Sequence, residues 1–263
     1  MIRDRIKNLV IGAVGDKSLH HHWLNGKRNY DLFLIYFGDG QGYEGEGEYY
    51  KRAKGYKFHL IQDVLAENPD LLKYDYIWLP DDDIYATPKE INKLFRMMQE
   101  YDLYLAQPSI VGWYGVDITL HQKGSVLRYT NWVEIMCPCF SGMALDICKS
   151  VFKENKTGWS IETIWNVLLD HPRDKIAIID DIIVAHTRRV LKGETHKDRA
   201  DPLLEAMQEA NEVYYKWKLD REMEKDLKHG TPVNGEIYCA VVYNQIKKPM
   251  EEPIKREERC WPR

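Results

Sequence analysis

The stretch "YDYIWLPDDDIYATPKEI", Tyr74 to Ile91, passes from aromatic and aliphatic residues straight into three aspartates, Asp81, Asp82 and Asp83. The run up to Leu79 suits a strand covered on both faces. Thr87-Pro88-Lys89-Glu90 is a capping box, with threonine at the N-cap, proline at the first helical position and glutamate three residues after the cap. Ile91, Leu94, Phe95 and Met98 then recur at helical spacing, and that helix is expected to end near Tyr101. Strand, acidic turn and capped helix make one unit of an open α/β sheet, in which ligands bind beyond the carboxyl ends of the strands.

Similar strand-like runs lie on either side. They are 8–15, 30–38, 55–61, 102–110 and 175–187, rich in Val, Ile, Tyr and Phe and often apolar on consecutive positions. The segments "EYYKRAKGYKF" and "IQDVLAENPDLLKY" read as helical or turn-rich connections. The alternation predicts a doubly wound α/β domain with a mostly parallel sheet over residues 1–195. From about Arg199 the texture changes to one long helix with Leu203, Leu204, Met207, Val213, Tyr214 and Trp217 near one face and Gly230 as its stop. Residues 196–263 are therefore expected to form a helical extension ending in a charged, proline-broken tail. The glycine-rich "GDGQGYEGEGEYY" (38–50) reads as a loop and does not fit a dinucleotide fingerprint.

The chain of 263 residues is 44% hydrophobic and carries a formal net charge of −4, which suits a globular protein and advertises no bulk polyanion partner. Five cysteines, Cys137, Cys139, Cys148, Cys239 and Cys260, form neither a paired framework nor a zinc-site spacing. Reduced thiols, no signal-peptide core and no window of membrane-helix length together predict a soluble, unprocessed, cytoplasmic protein.

Like charges in a row at a strand end need a reason. In extended backbone Asp81 and Asp83 point the same way, and Asp82 turns aside towards a ligand or the backbone. Two close carboxylates repel, and a hard cation such as Mg²⁺ or Mn²⁺ removes that repulsion while keeping open positions for the oxygens of a diphosphate. The plain alternative is a solvated acidic turn assisting the next helix. The second strand-end cluster holds His186, Arg188 and Arg189. An imidazole there completes a metal shell, and two guanidiniums suit phosphate oxygens. Asp180 and Asp181 either orient the histidine or bind nothing. His20-His21-His22 reads as a loop or surface helix, since adjacent histidines rarely converge on one ion. Trp23, Trp113 and Trp132 read as core or cleft aromatics.

An acid-x-acid at a strand end followed by a late His-plus-Arg cluster resembles the GT-A-fold glycosyltransferases. The blocks "LVIGAVGDK" (9–17), "YDYIWLPDDDI" (74–84), "LYLAQPSI" (103–110), "WVEIMCPCFSGMAL" (132–145), "TGWSIE" (157–162) and "IAIIDDIIVAHT" (176–187) are similar, in order, to a plant and bacterial family catalogued as domain of unknown function 707. That resemblance implies a nucleotide-diphosphate sugar as donor and Mn²⁺ or Mg²⁺ held by Asp81, Asp83 and His186. It further implies phosphate contacts from Arg188 or Arg189, a place for Asp82 beside the donor, and a nucleoside met by Asp16 and Lys17 or by Asp39. Glu162 is the first candidate for the base of an inverting transfer and Glu134 the second, and Trp159 offers a flat face to the acceptor. The family's "GWG-D" block is altered here, with Ser160 for glycine and Glu162 for aspartate.

A phosphatase of the haloacid dehalogenase type also places an acid-x-acid after a strand, but near the chain start, and Tyr85 stands where it carries Thr or Val. The other classes are a metal-dependent phosphohydrolase or nuclease using the same acids, and a binding module that keeps the fold without catalysis. The acceptor is left open among glycan, protein, small molecule and modified nucleic acid.

Overall fold

The computed structural model describes residues 7–189, 200–229, 231–232 and 240–248. The chain begins with strands β1 (Asn8–Val14), β2 (Asp31–Tyr36) and β3 (Tyr49–Arg52), then helix α1 (Lys57–Glu67). Strands β4 (Tyr76–Trp78) and β5 (Ile84–Tyr85) flank the aspartates and lead into α2 (Pro88–Glu100). Next come β6 (Leu105–Gly112), β7 (Ser125–Thr130), β8 (Cys139–Ser141), α3 (Gly142–Cys148), α4 (Ile161–Leu168) and β9 (Ile176–His186). The last elements are α5 (Pro202–Trp217), α6 (Leu219–Leu227), β10 (Thr231–Pro232) and β11 (Val241–Lys247).

Among the described residues these strands make one sheet in the order β10-β11-β7-β9-β6-β8-β4-β1-β2-β3, with β5 pairing β9. Strands β1, β2, β3, β4, β6, β9 and β11 run one way, and β5, β7, β8 and β10 the other. The sheet is mixed and mostly parallel, with helices on both faces. Successive residues of β1 explain why: Leu9, Ile11 and Ala13 enter one core with α1, α3, α4 and α6, whereas Val10 and Val14 enter the other with α2. The capping box of α2 is formed, and Ile91, Leu94, Phe95 and Met98 are buried on its inner face.

Three readings of local structure change. Residues 57–61, read as strand, open helix α1, because Phe58, Ile61, Val64 and Leu65 are buried at helical spacing. Tyr49–Arg52, read as a connection, is an edge strand paired to β2. The single long helix is two, broken where Lys218 adopts φ 51°. After them Val241–Lys247 returns to the sheet as a partner of β7. Cys137, Cys139 and Cys148 are buried free thiols. Gly230, Cys239, Cys260 and the tail from residue 249 lie outside the described residues. Among the described residues no helix is long and apolar enough to cross a membrane.

This topology brings four strand ends together. The parallel register Gly112↔His186 aligns the carboxyl ends of β6 and β9, Ile84 pairs with His186, and β1, in register with β4 at Val10↔Trp78, runs on to Val14, so that Gly15 N–H reaches Asp82.

Candidate functional site

Asp81 to Asp83 form a turn in which Ile84 N–H donates to Asp81 O at 3.2 Å. The backbone here is not extended, yet the side chains separate as the charge argument requires. Asp81, Asp83 and His186 each offer a ligand atom, and those atoms lie within 4.8 Å of one another. Asp82 faces away, accepting from Gly15 N–H at 2.9 Å and from Arg188 Nη1 at 2.9 Å. Burial still raises its pKa to about 6, against the opposing charge of Arg188.

Asp83 is only 7% exposed, and its Oδ1 is buried with no hydrogen-bond partner. That oxygen sits 3.3 Å from His186 Nε2, an ion-pair distance without hydrogen-bond alignment. The other ring nitrogen, Nδ1, is 2.7 Å from Trp113 O, which orients the imidazole and leaves Nε2 facing the acids. Burial works against the charged imidazole, but Asp83 and Asp81 win and lift His186 to about 9. Burial raises the Asp81 pKa, and Lys57 opposes it. Two carboxylates and one imidazole are a donor set for Mn²⁺ or Mg²⁺, and the orphaned Asp83 oxygen is the kind of buried atom an ion would satisfy.

Solved structures carry this fold. S. aureus TarS 1-349 matches over 69% of this chain and 60% of its own length, with TM-score 0.51 and 10% identity. Its complex with UDP-GlcNAc matches over 74% and 62%, with TM-score 0.50 and 10% identity. GalNAc-T7 with UDP, GalNAc and Mn²⁺ matches over 80% and 48%, with TM-score 0.57 and 8% identity. The fold is that of the GT-A glycosyltransferases. The chain spans between 48% and 62% of the length of these structures. No protein-family model and no curated protein matches the sequence.

On the GT-A framework the remaining expected residues fall at three places. At the end of β1, the exposed Asp16 carboxylate accepts from Tyr36 OH, from Asp39 N–H at 3.2 Å and from Gly40 N–H at 3.1 Å, bracing the loop after β2. Those bonds, with that of Tyr36 first, hold its pKa below the usual carboxylate value. Lys17 is exposed and its carbonyl accepts from Arg188 Nη2, so Arg188 spans Asp82 and the first loop. Asp39 is exposed and pairs with Lys54 at 2.6 Å. Arg189 is also exposed, and its guanidinium lies over the Trp113 ring at 4.9 Å. The two adjacent arginines thus do different things.

The third place is the pair of buried glutamates. Glu134 and Glu162 are buried, and each has one oxygen, Oε2, without a hydrogen-bond partner. Burial raises both to about 8. Glu134 also feels the charges of His186 and Asp81, whereas the charged group that Glu162 feels is Glu134. Glu162 lies in the first turn of α4, after Ser160 at φ 71°, and Trp159 beside it is half-buried. Asp180 and Asp181 do not orient His186. Asp180 is paired with Arg128 at 2.8 Å, and Asp181 with Lys93 at 2.5 Å and Lys248 at 2.8 Å. His20 is buried between Ser18 Oγ at 2.9 Å and Glu46 Oε2 at 3.0 Å in a short 3-10 turn.

Sequence reasoning missed Lys57. Its Nζ donates to Asp81 Oδ1 at 2.7 Å, Ile135 O at 2.7 Å and Met136 O at 3.2 Å. It is the first residue of α1, and the strand reading of 55–61 hid it. The helical spacing that continues to Val64 and Leu65 was the available signal.

Proposed function

We propose that this chain moves a glycosyl group from a nucleoside diphosphate sugar to an acceptor hydroxyl with the help of a divalent cation. The observation that carries this reading is the orphaned Asp83 oxygen inside the Asp81–Asp83–His186 cluster, at the strand ends where a GT-A fold binds its ligands. Asp81, Asp83 and His186 would hold the ion, which when bound neutralises charge developing on the departing diphosphate.

Arg188 keeps Asp82 turned away from the cluster and ties the first loop to the end of β9. The loops of Asp16, Lys17 and Asp39 form the nucleoside end. Arg189 is exposed over the Trp113 ring, where its charge would meet a phosphate or the acceptor. An inverting transfer needs an ionised base to take the acceptor proton. Glu134 and Glu162 are the two carboxyls at hand; burial lifts each to about 8, so either must first give up its proton to serve as that base. Every residue named lies before 190, which supports a catalytic unit of residues 1–195 with 196–263 appended. The nearer likeness to domain of unknown function 707 rests on the sequence blocks.

The test is a thermal-shift series with UDP and UDP-GlcNAc, with and without Mn²⁺, on the wild type and on Asp83→Asn. The expected result is a nucleotide-dependent rise in Tm that needs Mn²⁺ and vanishes in the variant. A rise of the same size in EDTA, or none with any nucleotide sugar, defeats the reading.

A further inference from the structure

The loop leaving β6 is the part of the site that neither ion nor donor uses. Trp113 is 46% exposed and Tyr114 41%, next to Val111 at 42%. Bared aromatic side chains in a cluster mark a binding surface more often than an accident of packing. Their backbone is firmly held. Trp113 N–H donates to His186 O at 3.1 Å, and Trp113 O meets His186 Nδ1 at 2.7 Å. Gly112 has φ +95°, and a Cβ there would stand 2.5 Å from His186 O. At the far end, a Cβ on Gly115 would collide with Glu134 Oε1. The two rings are strung between the candidate metal ligand and the buried acid whose Oε2 has no partner. A group resting on them lies between the place that holds the donor and the place that can take a proton, which is where an acceptor must sit.

We propose that Trp113 and Tyr114 are the acceptor subsite and that the acceptor is a carbohydrate, its ring stacked on these aromatics. This rests on the glycosyltransferase reading. A sugar ring presents an apolar C–H face that matches a flat aromatic surface, while its hydroxyl rim can reach Glu134 and the Arg189 guanidinium. The formal net charge of −4 disfavours a nucleic-acid acceptor. Trp159, expected in this role, is half-buried, whereas Trp113 and Tyr114 are exposed.

The experiment is saturation-transfer-difference NMR on the full chain with Mg²⁺ and UDP, using cellobiose, maltose and N,N′-diacetylchitobiose as probes. Saturation is expected on the ring C–H protons of at least one disaccharide. Trp113→Phe should keep it, Trp113→Ala should weaken binding by about tenfold, and Tyr215→Ala, on a 76%-exposed side chain of α5, should leave it unchanged. Silence from all three disaccharides, or wild-type binding by Trp113→Ala in a folded protein, overturns the proposal. The UDP signal in the same tube separates the two readings. UDP bound and sugars silent sinks the subsite alone, whereas sugars bound and UDP silent sinks the donor assignment alone.

Discussion

Two buried acidic clusters in this protein are built on opposite plans. Asp226, on α6, accepts hydrogen bonds from Asn131 Nδ2 at 3.1 Å, Asn166 Nδ2 at 2.9 Å and Tyr243 OH at 2.7 Å, and meets His171 Nδ1 at 3.0 Å. His171 Nε2 reaches Glu222 at 3.0 Å. Although burial opposes it, hydrogen bonds led by that from His171 hold the Asp226 pKa down, and the Asp226 bond heads the causes that raise His171. The cluster around Asp81 is the reverse, with carboxylate oxygens of Asp83, Glu134 and Glu162 buried and unpartnered and the latter two acids pushed upward. A protein satisfies the buried acids it needs for shape. Buried acid oxygens left without a partner mark places where a ligand could supply one.

The sharpest way to break this contrast is to exchange the expected consequences. Asp226→Ala strands His171, Tyr243 and two asparagines, and should cost about 3–5 kcal/mol in urea unfolding. A loss below about 1 kcal/mol would remove Asp226 as the keystone of α6. On the proposed function, Asp83→Asn should lower glycosyl transfer about 10²–10³-fold while costing less stability than Asp226→Ala. Equal losses of stability would erase the distinction between the two clusters. Adding Mn²⁺ with UDP at about a hundred times Kd should stabilise the wild type by roughly 2.7 kcal/mol, and Asp83→Asn by much less. The same gain in both would move the ion elsewhere.

The smallest effect is that of pH on the structural cluster. A raised His171 pKa contributes stability that is fully present below its unfolded value of about 6.5 and is lost as pH rises through the folded value. The Tm gap between wild type and His171→Gln should therefore narrow on raising pH above about 6.5. A gap that stays constant from pH 6 to 9 contradicts it.

The sequence exposed the parts of the site that lie at punctuated chain positions. Asp81–Asp83 stand between a greasy run and a capping box, and His186 closes another greasy run, so both could be placed at strand ends without a structure. The partners could not. Arg188 meets Asp82 across more than a hundred residues, and Lys57 sits in a run whose helical period is visible only when read past Ile61. The antiparallel insertion of β8 between β4 and β6 depends on non-local pairing that leaves no local periodicity. Trp113 was legible as an aromatic but not as an exposed one, because exposure depends on Gly112 and Gly115 holding the loop against β9 and Glu134.

Lys57 has a consequence for the charge balance of the acidic cluster. Its ammonium and the cationic His186 face Asp81 and Asp83, so the cluster by itself is close to electrically neutral. Folding then need not wait for metal, unlike a zinc finger whose chain collapses only around its ion. The proposed cation would then meet a finished scaffold, and a chelator should leave the fold intact.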